Sequence, residues 1–132
     1  MGYYDNDFCK LDGQILTDIK IINDDVIMFK TSTGTNYKMW HVADCCECVT
    51  IDEIIGDLSD LLNTPILLAE IATSSDTLPG FEHRDNEHFT WTFYKLSSIR
   101  GSVTIRWYGS SNGYYSEAVS FSELQPEDVY AI

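Results

Sequence analysis

An α+β fold is expected for this chain: a mostly antiparallel sheet of six to seven strands with one main helix packed on one face. Three observations point to it. Short apolar runs with period-two alternation recur between turn signals, which is the mark of half-buried strands. One stretch, from Thr50 to Leu62, instead carries apolar residues at helical spacing behind a capping signature. The chain has 132 residues, 44% of them hydrophobic, enough to bury one core as a single domain over residues 1–132.

The elements follow in order. Residues 1–9 carry no periodic pattern and are expected to be loosely ordered. Ile15 to Ile22 predicts a strand. Asn23-Asp24-Asp25 predicts a turn, because short polar side chains there bond their own backbone. Val26 to Thr31 predicts a second strand, and Ser32-Thr33-Gly34 turns it into a third from Asn36 to Val42, giving an antiparallel meander.

Thr50-Ile51-Asp52-Glu53 has the form of a capping box, with Val49 and Ile54 placed as its hydrophobic staple. Ile54, Ile55, Leu58, Leu61 and Leu62 then form one stripe, ended by Asn63 and Pro65. Gly56 inside that helix would cost about 1 kcal/mol relative to Ala. Pro65 to Ala72 predicts a buried strand, and Thr73 to Glu87 a long polar loop. Phe89, Trp91 and Phe93 alternate with Thr90 and Thr92 and predict one buried face.

Val103, Ile105 and Trp107 begin a terminal hairpin around Asn112-Gly113. A three-residue loop, Ser111 to Gly113, aligns Tyr115, Val119 and Phe121 with that apolar face, and segregates apolar from polar better than a two-residue loop. Glu117 then falls opposite Trp107, where a carboxylate must be paired, protonated or at the rim of the sheet.

Charge narrows the function. There are 21 acids against 8 bases, a net charge of −13. Direct binding of nucleic acid or of an anionic membrane is disfavoured, because both rest on Lys and Arg. From Met39 to His83 there are nine acids and no Lys or Arg. On the expected helix Glu53, Asp57 and Asp60 share a face. A face that accepts such like-charge repulsion suits a basic surface on a partner protein; a solvated helix face is the plainer explanation. Tyr108 and Tyr114, on the polar side of the hairpin tip, are candidate contacts, as are Asp44 and Glu47.

The densest group of chemical side chains is His41-Val42-Ala43-Asp44-Cys45-Cys46-Glu47-Cys48. His41, Asp44, Cys45 and Cys46 form an alternative metal set, but the spacing lacks the paired hooks of structural zinc sites. Two of these ligands could meet His83 or His88 from the long loop. Cys45 or Cys46 with His41 as base is an alternative thiol site, opposed by the acidic field around it. The plainer explanation makes Cys46 and Cys48 small buried hydrophobes. No cofactor is expected, and a binding role is favoured over an enzymatic one. A small-ligand site between the aromatic hairpin and Gly56 is a further alternative.

The start of the chain has neither a basic nor an apolar signal segment, and no apolar run reaches membrane-spanning length. With four cysteines, three of them crowded into Cys45, Cys46 and Cys48, free thiols and a cytoplasmic location are expected. Homo-oligomerisation is left open.

Three stretches together carry a resemblance. They are His41-x-x-Asp44-Cys45-Cys46-Glu47; Ile55-Gly56-Asp57-Leu58 through Pro65-Ile66-Leu67-x-Ala69-Glu70; and Trp107-Tyr108-Gly109-x-Ser111-Asn112-Gly113-Tyr114-Tyr115-Ser116. The chain resembles, from about Leu11 to Phe121, a family of small proteins of bacteriophages and their bacterial hosts classed as a domain of unknown function. Cys48 departs from the family pattern, which has a small or polar residue after Glu47, and this weakens any three-cysteine metal site. The resemblance implies no activity. It implies a phage or mobile-element setting, where small acidic proteins act as inhibitors of host nucleases or defence complexes.

Overall fold

The computed structural model describes residues 7–42, 47–74, 88–111 and 116–124. Among these described residues, eight strands form two four-stranded antiparallel sheets. The first sheet has the order β1-β2-β3-β8, from β1 (Leu16–Ile22), β2 (Val26–Thr31), β3 (Asn36–Trp40) and β8 (Ser120–Glu123). The second has the order β4-β7-β6-β5, from β4 (Cys48–Ile55), β5 (Leu68–Ser74), β6 (His88–Ser98) and β7 (Gly101–Ser111). The expected α+β class is therefore overturned: the described residues contain no α-helix, only two short 3₁₀ turns, Asp7–Leu11 and Leu58–Leu61.

The meander β1-β2-β3 forms where the sequence places it, with Ile22 opposite Val26 and Lys30 opposite Asn36 across the two turns. Asn23 takes φ 55°, the left-handed conformation that Asn tolerates.

The helix expected from Thr50 is instead strand β4, then Gly56, then a 3₁₀ turn. Val49, Thr50, Ile51, Ile54 and Ile55 are all β-branched and fit a pleated sheet better than a helix. A bulge between Ile51 and Glu53 shifts the register by one residue. Val49, Ile51 and Ile54 therefore all pack on the core, at spacings of two and then three. Added to Leu58, Leu61 and Leu62 of the 3₁₀ turn, that broken alternation imitates a helical stripe. Gly56 has φ +109°, and a Cβ there would lie 2.5 Å from the Ser102 carbonyl oxygen, so the position is closed to any side chain. Asp57 caps the turn by accepting from the Ser59 amide at 2.9 Å and from the Ser59 hydroxyl at 2.7 Å.

The terminal hairpin is also overturned. After β7 the chain leaves its sheet, and β8 pairs with β3, placing Phe121 opposite Met39. Residues 116–119 are the crossover between the sheets.

The two sheets close on one hydrophobic core. Ile27, Phe29, Tyr37, Met39 and Phe121 from the first meet Val49, Tyr94, Leu96, Val103, Ile105 and Trp107 from the second. Fully burying each large side chain of this kind contributes about 1.5–3 kcal/mol. Polar tips within the core are satisfied: the Trp107 indole donates to Met39 Sδ at 3.2 Å, and the Tyr94 hydroxyl donates to the Val119 carbonyl at 3.2 Å. Burial pushes the Tyr94 phenol far above its ordinary pKa, so it stays a donor. Phe8, expected in a loose terminus, is fully buried with its ring 4.6 Å from Tyr94 and 5.2 Å from Phe121.

Strand β6 is apolar on both faces. Tyr94 and Leu96 face the core, whereas Phe89, Trp91 and Phe93 lie on the opposite face of the sheet. There Trp91 packs 4.7 Å from Tyr108 and takes the Arg106 guanidinium at 5.2 Å. Strand β5, expected to be buried, is largely exposed at the edge of its sheet.

Candidate functional site

At one end of the second sheet, the core-facing positions turn polar. His88 pairs with Ser111, and Thr90 with Gly109. These four residues continue the inward row of Tyr94, Leu96, Ile105 and Trp107, so they face the space between the sheets. The crossover passes over this platform and lays Glu117 on it.

Gly109 makes that approach feasible: a Cβ there would meet Glu117 Cβ at 2.9 Å and the Glu117 carbonyl oxygen at 3.0 Å. The Glu117 side chain is 3% exposed. Thr90 Oγ1 donates to one carboxylate oxygen at 2.7 Å, and Ser111 Oγ donates to the other at 2.6 Å. His88 Nδ1 lies 3.0 and 2.9 Å from the two oxygens and supplies the third donor. A buried carboxylate is tolerable only with such pairing. The expectation that Glu117 must be satisfied is met by donors over Gly109 and Ser111, not opposite Trp107.

A second histidine–glutamate pair grips the same crossover from the other sheet. His41 follows β3, and its Nδ1 is 2.7 Å from the Ala118 carbonyl. A carbonyl only accepts, so Nδ1 is the donor. Nε2 is 2.7 Å from Glu47 Oε2, and a bond of that length between two otherwise lone-pair atoms requires a proton between them. Both side chains are buried, at 7% and 1% exposure. The stretch Ser116-Glu117-Ala118 is thus held through the Glu117 side chain by β6 and β7, and through the Ala118 backbone by His41.

Chemically, both Glu117 oxygens are saturated by donors, which suits it to orienting His88 rather than to taking a proton from a substrate. His88 is largely exposed, with Nδ1 committed to the carboxylate. Both nitrogens of His41 are engaged, so a metal or a thiol proton at His41 would have to displace Ala118 or Glu47.

A family model, a domain of unknown function (DUF7448), matches residues 10–121. The chain belongs to the DUF7448 family. No curated protein and no solved structure matches it.

In this DUF7448 chain the site residues expected from sequence are scattered. Glu53 lies on β4, where Arg106 bonds it at 2.9 Å and Asp52 at 2.6 Å. Asp57 caps the 3₁₀ turn, its carboxyl held below the usual value by the Ser59 hydroxyl, then the Ser59 amide, with Arg100 adding to the effect. Asp60 lies within that turn, beside Gly101. Among the described residues no α-helix gathers the three on one face. Glu47 is buried against His41 and offers no exposed charge. Tyr108 is on the outer face of the second sheet, between Trp91 and Phe89. Asp44, Cys45, Cys46, His83 and Tyr114 lie outside the described residues. Cys48 is exposed, contrary to the buried position offered above, and Cys9 is exposed as well. Among the described residues no group of three or more His, Cys, Asp or Glu is gathered to hold a metal. No described helix is long and apolar enough to cross a membrane.

Sequence reasoning missed the pairings of His88, Thr90 and Ser111, because it placed His88 in a loop and closed the hairpin on the wrong sheet. The signal available was Gly109 within an otherwise regular strand, which marks close backbone approach.

Proposed function

We propose that this DUF7448 chain is a non-enzymatic binding protein, of the accessory kind phages encode. Its acidic surface would engage a basic surface on a host protein, such as a nucleic-acid-binding or defence protein. The observation that carries this is where the turn between β1 and β2 sits. The Ile51 amide donates to the Asp24 carbonyl at 2.7 Å, docking the turn on the β4 bulge. Asp24 and Asp25 are thereby brought beside Asp52 and Glu53, and all four are exposed. Arg106 pairs with Asp52 and Glu53; among the described residues no ion pair engages Asp24 or Asp25. The chain's net charge of −13 adds long-range attraction for a cationic partner.

The test is co-purification of tagged protein from host lysate at low and high salt, beside the Asp24→Lys/Asp25→Lys variant. A basic protein retained at low salt, released at high salt and lost from the variant supports the proposal. Retention indifferent to both salt and charge reversal sinks it.

A further inference from the structure

We propose that the outer face of the first sheet is a contact surface for single-stranded nucleic acid. The register sets three lysines on that face. Lys20 and Lys38 flank Met28 in one row across β1, β2 and β3. Lys30 stands in the neighbouring row, between Asp18 and Asn36. On the other side of the lysine row, Trp40 stands between Val26 and Ser120. The alternate residues of the same strands, Ile27, Phe29, Tyr37 and Met39, face the core. Lys20 and Lys30 are exposed, and Lys38 and Trp40 are half-buried.

The net charge of −13 argues against nucleic acid only for charges spread evenly, and these are not. Along its paired strands this face carries three lysines against one acid, Asp18. Among the described residues no ion pair engages Lys20, Lys30 or Lys38. Asp52 and Glu53 lie on the other sheet, and the turn bearing Asp24 and Asp25 is docked there through the Ile51 amide. Three ammonium groups without a carboxylate, in a chain so rich in carboxylates, form a surface complementary to an anionic partner.

Spacing and chemistry choose the anion. Strands lie about 4.8 Å apart, so the backbones bearing Lys20 and Lys38, one strand on either side of Met28, are about 10 Å apart. That spread suits successive charges of an extended polyanion better than one small ion. An acidic peptide would use the lysines alone. Trp40 adds an aromatic ring, with Lys38 Nζ 4.6 Å from its centroid. Aromatic rings that stack bases, beside basic side chains that track phosphates, hold single strands without reading their sequence. Asn36, Ser120 and Ser122 add neutral hydrogen-bonding groups on the same face. In a duplex the bases are already stacked on one another, so the ring favours unpaired ones.

Repulsion from the rest of the chain places the affinity at the weak end of sequence-independent binding, a Kd of about 10⁻⁴ M. Anisotropy of a labelled oligothymidine, titrated with the whole chain at low salt, should saturate in that range. The triple variant Lys20→Gln/Lys30→Gln/Lys38→Gln should bind at least tenfold more weakly, and Trp40→Leu about tenfold more weakly. Trp91 and Trp107, the other two tryptophans, are fully buried, so quenching of intrinsic fluorescence by unlabelled oligothymidine reports on Trp40. It should follow the anisotropy curve. No saturation up to about ten times that Kd overturns the proposal. So does undiminished binding by the triple-lysine variant, or binding with no quenching. Displacement of the oligonucleotide by poly-glutamate as readily as by unlabelled oligothymidine also overturns it, and makes an acidic peptide the occupant.

Discussion

Gly109 lies directly beneath Glu117, close enough that a methyl group on Gly109 would stand 2.9 Å from Glu117 Cβ. On its other side it would meet Val49 Cγ2 at 3.1 Å. Neither atom is the loose end of a flexible chain. Gly109→Ala should therefore destabilise the fold by about 1–3 kcal/mol, the usual cost of overpacking. Urea unfolding checks this; an unchanged midpoint would mean that the crossover is not seated as described.

Removing the carboxylate should cost more. Glu117→Ala removes the carboxylate that the Thr90 and Ser111 hydroxyls both donate to in a buried site. A loss of about 1–3 kcal/mol for each hydroxyl left short of its acceptor is expected. His88→Ala, at an exposed side chain, should cost about 1 kcal/mol, because both hydroxyls still hold Glu117. Equal losses from the two changes would show that His88, not the hydroxyl pair, carries the site.

Gly56→Ala separates the observed structure from the helix the capping signature suggested. Alanine in a helix interior would stabilise by about 1 kcal/mol over glycine. At φ +109° and 2.5 Å from the Ser102 carbonyl oxygen, alanine should instead destabilise by more than about 1 kcal/mol. The sign of the change in thermal midpoint decides between them.

The cap on the second 3₁₀ turn should be acid-sensitive only below the ordinary carboxylate range. Asp57 is held below the ordinary aspartate value of 3.8 by the Ser59 hydroxyl and amide. A depressed folded-state pKa contributes stability that is present above the unfolded value and lost as pH falls through the folded one. The Ser59 amide resonance, followed by NMR through an acid titration, should shift with a midpoint below 3.8, and Asp57→Asn should abolish that titration.

What could be seen in advance was local. The meander from Leu16 to Trp40 follows from alternation and from Asn23 and Gly34 at its turns, which act over a few residues. What could not be seen was set by tertiary pairing. The β4 bulge at Asp52 breaks the period-two pattern, and Leu58 and Leu61 happen to extend the remainder into a helical stripe. Val119 and Phe121 are in the core, but the hairpin register expected around Asn112-Gly113 does not form, because alternation cannot tell which sheet a strand joins. The same limit hid the candidate site. That Glu117 needed donors could be read from its apolar neighbours; that His88, Thr90 and Ser111 supply them depends on the crossover.

That crossover also bears on how the chain is made. Strand β3 ends at Trp40, and its partner β8 begins at Ser120, so the first sheet cannot be completed until synthesis has passed Ser120. Pairings so distant in sequence form slowly, because the intervening loop must close first. During translation the meander should wait as a three-stranded sheet with Tyr37 and Met39 uncovered, in need of protection from aggregation. Ribosome-stalled chains ending before Ser120 should therefore be protease-sensitive from Leu16 to Trp40, and longer ones resistant.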